Sequence, residues 1–330
     1  SGLIRVQEQP AGVTSEPERD DWEPTESEPS RRTDPEASSL ARESVPALPS
    51  VPSPMADLPS GATFGSLVHA VLEHADPDAP DLAVELEART REQLSWWPVG
   101  VSAAEVAAGV LPSQLTSLGS LAGGLRLADI PLGDRLCELD FEFPLTGGDR
   151  PTAVRAGVHL GDVASLLRRH LPADDPLISY ADQLVGPLGE QALRGYLSGS
   201  IDVVLRVPDD SVAGGYRYVV VDYKTNLLGE PGTPVTSADY SRVAMAGAML
   251  HSHYPLQALL YSVVLHRYLR WRLPSYEAER HLGGTLYLFL RGMCGPETPV
   301  VDGHVAGVFD WSPPVALVSE LSELLEGVRV

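Results

Sequence analysis

Two β-rich runs, Gly199–Val207 and Tyr216–Tyr223, flank Pro208–Gly215, a stretch with Asp, Gly and Pro. Apolar, β-branched segments around turn-forming residues predict an antiparallel hairpin. Within the second run Val219–Val221 is continuously apolar, the pattern of a strand buried on both faces. A strand of that kind needs packing partners above and below it. The expected fold is therefore an α/β domain whose mixed central β-sheet is flanked by helices.

The surrounding sequence supplies those helices. From Thr63, the positions of Leu67, Val68, Val71, Leu72 and Ala75 predict an amphipathic helix, with His69 and Glu73 one turn apart on its surface. Further helices are expected at Leu82–Trp96, Ala103–Val110, Pro112–Leu121, His159–Leu171, Tyr180–Leu193, Tyr254–Leu273 and Ser312–Val328. Leu136–Leu145 alternates strictly and predicts a strand with Glu138, Asp140 and Glu142 on one face; Gly283–Arg291 predicts another. Residues 1–60 hold ten prolines and little periodicity, so they are expected to form a flexible linker arm, with the domain proper at 61–330.

Composition narrows the function. The net charge is −21, which argues against a protein that coats nucleic acid. Twelve acidic and five basic side chains lie in residues 1–60, so the rest still carries a net −14 (33 acidic, 19 basic). Unaided affinity for DNA should be weak, and a partner or fused domain is expected to deliver substrate. Two cysteines, Cys137 and Cys294, exclude a four-cysteine zinc or iron–sulfur site and suit a reducing, cytoplasmic setting. No apolar run is long enough for a membrane span, and no secretory signal is present. The first residue is Ser1 rather than Met, which suggests a fragment or a processed chain.

Of the 24 basic side chains, 23 are arginines and one is a lysine, Lys224. Lysine offers a compact charge with a tunable pKa where arginine's planar fork does not fit. Lys224 ends the Asp222-Tyr223-Lys224 triplet, and Asp222 and Lys224, two apart on a strand, leave the same side of the sheet. Asp202 lies on the partner strand of the hairpin. Side-by-side carboxylates repel unless a proton or cation is shared, and a hard cation with oxygen ligands resolves that repulsion. An isolated Asp-x-Lys is more often a strand-capping ion pair; Asp202, the hairpin and the solitary lysine shift the balance toward a metal-assisted hydrolytic site.

These blocks resemble the C-terminal nuclease domain of the RecB family, within the PD-(D/E)xK nuclease superfamily. The likeness runs through Gly199-Ser-Ile-Asp202-Val-Val and Val221-Asp222-Tyr223-Lys224-Thr-Asn226-Leu-Leu-Gly229. It extends to Phe64-Gly-Ser-Leu-Val-His69, Glu138-Leu-Asp140-Phe141, Tyr254-Pro-Leu-Gln257-Ala-Leu-Leu-Tyr261 and Gly283-Gly-Thr-Leu-Tyr-Leu-Phe-Leu-Arg291-Gly-Met293, about residues 61–328 in all. It implies a restriction-endonuclease-like core. It also implies a metal site of Asp202, Asp222, the Tyr223 carbonyl and His69, with Lys224 as the catalytic lysine. Glu138, or its rival Asp140, would be the acidic residue of the first strand, and Gln257 and Tyr261 would support the site or position DNA. The implied cofactor is Mg²⁺, with Mn²⁺ as a substitute and Ca²⁺ substituting or inhibiting. The implied setting is a helicase–nuclease acting in double-strand break repair and linear DNA degradation. Its partners would be single strands from an unwound duplex, helicase domains of the same polypeptide, and RecC- and RecD-like subunits. Two alternatives remain: a docking module that kept the fold without activity, and a stand-alone endonuclease. Trp96-Trp97, another aromatic feature, fits base stacking or, more simply, packing.

Overall fold

A computed structural model describes residues 50–145, 157–209 and 215–327. The expected hairpin is its centre. Strand β2 (Tyr196–Asp209) pairs antiparallel with β3 (Gly215–Lys224), Val203 opposite Val221. Strand β1 (Arg135–Pro144) adds to β2 antiparallel, and β4 (Leu282–Phe289) adds to β3 in parallel. After the two-residue pair β5 (Val300–Val301) and β6 (His304–Val305), β7 (Val308–Trp311) closes the other edge, giving the order β1-β2-β3-β4-β7. The sheet is mixed, as expected.

Side-chain alternation along β3 divides the core. Val219, Val221 and Tyr223 face α1 (Ala62–His74), α2 (Leu82–Gln93) and α3 (Ala103–Leu115), packing with Phe64, Leu67, Leu86 and Val106. Val220 faces α7 (Tyr254–Arg272), packing with Tyr261 and Leu265. On that side α4 (Leu160–His170) and α9 (Val315–Leu325) join a cluster with Tyr287, Phe289, Phe309 and Trp311. Asp222 and Lys224 share the parity of Val220, so they project toward α7 from the part of β3, Val219–Lys224, that is buried throughout.

Several element boundaries differ from expectation for identifiable reasons. Ala103–Val110 and Pro112–Leu121 are not two helices; α3 runs through Pro112 to Leu115. A capping box of Ser102 and Glu105 starts it, and Pro112 lies in its last turn, where it removes one helical hydrogen bond a few residues before the helix ends. The helix expected at Tyr180–Leu193 is one turn, α5 (Tyr180–Gln183), because the chain turns left-handed at Gly186 (φ 76°). Helix α2 stops at Gln93, leaving Trp96 exposed. Helix α6 (Arg242–His251) and β7 were not anticipated, and a single turn, α8 (Ala278–His281), precedes β4. Of the segment assigned to the arm, residues 1–49 lie outside the described residues; residues 50–60 pack onto the domain, with Met55 fully buried and Pro52 bridged to Thr236. The end of the last expected helix, Val328, also lies outside the described residues.

Replacing Leu286, fully buried at the centre of β4, by Ala should lower unfolding free energy by about 2–5 kcal/mol in urea titration. Val243→Ala, at a side chain 82% exposed, should change it by less than about 0.5 kcal/mol.

Candidate active site

Backbone pairing of β2 with β3 is regular as far as Val203–Val221. One step further, the register sets Asp202 opposite Asp222. On the other side of β2, Cys137 faces Val203 and Leu139 faces Ile201, which sets Glu138 opposite Asp202. Three carboxylates therefore form one row across β1, β2 and β3, and Tyr287 of β4 continues it beside Asp222. Here the Asp202 side chain takes over as a backbone acceptor: Tyr223 N–H donates to its Oδ2 at 2.8 Å.

Helix α1 brings His69 to the same point. Its Nε2 is 2.9 Å from the Tyr223 carbonyl and its Nδ1 is 3.4 Å from Asp202 Oδ2. Burial alone would lower the imidazole pKa, but the Asp202 carboxylate outweighs it and raises His69 to about 9. Protonated, the ring donates from both nitrogens and places one positive charge against Asp202. Burial pushes Asp202 up, yet His69, Lys224 and the Tyr223 N–H together bring it below the usual carboxylate range. Asp222 goes the other way. Burial, reinforced by the Asp202 charge, lifts it to about 6 against the pull of Lys224.

Lys224 Nζ lies 2.6 Å from Asp222 Oδ2, both side chains being buried. The ammonium sits 4.2 Å from the ring centre of Tyr254 and 5.6 Å from that of Tyr287, inside an aromatic wall. Gln257 braces that wall. Its Oε1 accepts from Tyr287 Oη at 3.0 Å and its Nε2 donates to Tyr261 Oη at 3.0 Å. The α7 pair Gln257 and Tyr261 thus reaches the site through Tyr287. Tyr254 and Tyr287 were not singled out from the sequence; each lies within a matched block, but nothing in the pattern marks a tyrosine as facing a lysine.

Glu138 and Asp140 are separated by exposure. Glu138 is half-buried, adopts φ 45°, and accepts from Ser200 Oγ at 2.8 Å. Burial and the neighbouring Asp202 charge raise its pKa. Asp140 is exposed. Glu138 is the one that stands next to Asp202.

Among the described residues, no three His, Cys, Asp or Glu side chains stand at ready metal-coordinating spacing. Asp222 leans on Lys224, and His69 and the Tyr223 carbonyl engage each other. The donor set still suits a hard cation. The buried Asp222 and the partly exposed Asp202 offer carboxylate oxygens, and Tyr223 a backbone carbonyl. Asp222 Oδ2 is fully buried, with Lys224 Nζ 2.6 Å away.

A mixed sheet between helical layers, with paired aspartates and a lysine where β2 and β3 part, defines a nuclease-like α/β core. Over most of its length the chain is homologous to RecB subunits of RecBCD enzymes. It is 61% identical over 279 residues to the RecBCD enzyme subunit RecB of Mycolicibacterium smegmatis, covering 84% of this chain and 25% of that protein. It is 59% identical over 283 residues to RecB of Mycobacterium tuberculosis, covering 84% and 25%, and 31% identical over 275 residues to RecB of Escherichia coli, covering 82% and 20%. The chain therefore spans about a quarter of the length of the two mycobacterial relatives and a fifth of the third. No family profile matches it. Among the described residues, no helix is long and apolar enough to cross a membrane.

Asp202→Asn removes the charge that holds His69 protonated while leaving an oxygen for the Tyr223 N–H. The His69 pKa should fall from about 9, because burial is then opposed only by the charge of Asp222; an NMR titration of the imidazole measures this.

Proposed function

We propose that this chain is the nuclease domain of a RecBCD-type helicase–nuclease and hydrolyses DNA phosphodiesters with Mg²⁺. The observation that carries the reading is the gathering of Asp202, Asp222, Lys224 and His69 at one point from three separate elements. Buried like charges this close are costly unless a cation joins them. Asp202, Asp222 and the Tyr223 carbonyl would hold Mg²⁺, with His69 at its edge, and Mn²⁺ would serve in its place. When bound, the metal would act as a Lewis acid toward phosphate oxygens.

The chain's own groups do the rest. Lys224 is a fixed point charge that orients an attacking water and opposes the negative charge developing on phosphorus. The Tyr254 and Tyr287 rings exclude water from its flank and restrict its rotamers, so little reorganisation is needed when DNA arrives. Gln257 and Tyr261 hold those rings. Glu138 adds a third carboxylate on the open side of Asp202, where it would accept a proton or hold a water. The net charge of −21 makes independent capture of DNA unfavourable. Strands would be fed by helicase domains of the longer polypeptide, with RecC- and RecD-like subunits as partners.

Degradation of linear single-stranded DNA in Mg²⁺ tests the reading. Asp222→Ala and Lys224→Ala should each slow it by about 10²-fold or more, and equal rates in all three proteins would exclude this site. No cleavage by the wild-type chain with any divalent metal would favour a docking module or an obligatory need for partners. A second comparison separates the carboxylates of β1: Glu138→Gln should slow cleavage about tenfold or more, and Asp140→Asn should leave it near the wild-type rate.

A further inference from the structure

Arg291 ends β4 in a single 3₁₀ turn, Leu290–Gly292, and is only 1% exposed. A guanidinium is permanently charged, so burying it is tolerable only with its donors satisfied. Its Nε donates to the Thr225 carbonyl at 2.8 Å. Its Nη1 donates to the carbonyls of Met55 at 2.7 Å and Leu58 at 3.4 Å, and its Nη2 to that of Pro59. Phe64 of α1 lies under the guanidinium plane, 5.3 Å from ring centre to carbon.

These acceptors belong to two segments far apart in sequence. Thr225 follows Lys224 directly. Residues 55–59 lead into α1, which carries His69. The stretch just before is also stitched down: Ser53 N–H donates to the Val235 carbonyl at 2.9 Å, and Ser237 N–H to the Val51 carbonyl at 2.8 Å. Residues 51–59 thus form a strap across the segments that follow the catalytic strand. Gly292 allows the fit, because a Cβ there would collide with the Tyr240 ring.

We infer that Arg291 is a positioning residue, clamping the 55–59 strap to the turn after Lys224 and so fixing His69 in register with Asp222 and Lys224. The inference rests on the nuclease reading for its catalytic consequence, though not for the clamp itself. Losing the guanidinium would release the Thr225 carbonyl and the strap together, and the His69 contact with the Tyr223 carbonyl would lose its reference point. An error of about 1 Å in such a constellation is enough to cost about 10²-fold in rate.

The test uses the full 330-residue chain as wild type, Arg291→Gln, Arg291→Lys and, as a control for general destabilisation, Leu321→Ala in α9. Lysine keeps the charge but cannot span the same carbonyls, so Arg291→Lys serves if the glutamine variant does not fold. Amide hydrogen exchange is followed across residues 51–60 and 224–229. Both segments should exchange about tenfold faster or more in the Arg291 variants, together, and not selectively in Leu321→Ala. For DNA cleavage, kcat should fall by about 10²-fold in Arg291→Gln with KM nearly unchanged, and by less in Arg291→Lys. Faster exchange in one segment only, or an equal loss of kcat in Leu321→Ala, would overturn the inference. If the wild-type chain cleaves nothing, the nuclease reading fails by itself, and the exchange data still decide whether Arg291 joins the two segments.

Discussion

Two aspartates placed across from each other where a hairpin's strands part set the terms for this structure. Asp222 cannot reach water, and Asp202 reaches little of it. Their mutual repulsion in a medium of low polarity must be met locally. Lys224 answers Asp222; His69 and the Tyr223 N–H answer Asp202. Each answer comes from a different constraint of the fold. Strand alternation puts Lys224 on the side of Asp222, the end of regular β2–β3 pairing frees the Tyr223 N–H, and packing of α1 on the opposite face of the sheet brings His69 to the point where β2 and β3 part.

The two helical layers have unequal tasks. The layer of α1, α2 and α3 supplies one titratable group and a large apolar cluster. The α7 layer supplies the wall around Lys224, where Tyr254, Gln257 and Tyr261 meet Tyr287 of β4. Central strands covered on both faces hold the lysine in one place, and the aromatic wall limits the positions its ammonium can take. The site opens toward β1, where Glu138 stands at the boundary between the buried row and solvent.

Much of this was legible in the sequence because it is local. The hairpin shows in the β-branched runs around Pro208–Gly215, the pairing of Asp222 with Lys224 in strand alternation, and α7 in its long apolar span. His69 and the α7 pair became legible only as parts of family-like blocks. What stayed hidden depends on contacts between distant segments. Tyr254 and Tyr287 are 33 residues apart and become one wall only when β4 lies parallel to β3. Arg291 reads as one arginine among 23, and its burial among carbonyls follows from a strap some 230 residues earlier. Residues 50–60 look like linker, being rich in proline and serine; their hydrogen bonds go to segments 235–237 and Arg291, which no periodicity announces. Helix α6 is short and rich in small residues, so its apolar pattern is faint.

We propose that the Asp202–Asp222 pair is joined by a divalent cation when the site is loaded. Anomalous diffraction from crystals of this chain soaked in Mn²⁺ tests it most directly. A peak is expected between Asp202, Asp222 and the Tyr223 carbonyl, with Lys224 displaced from Asp222 and His69 turned from the carbonyl. An absent peak at saturating Mn²⁺, or a metal bound elsewhere while the Lys224–Asp222 pair stays closed, would contradict it.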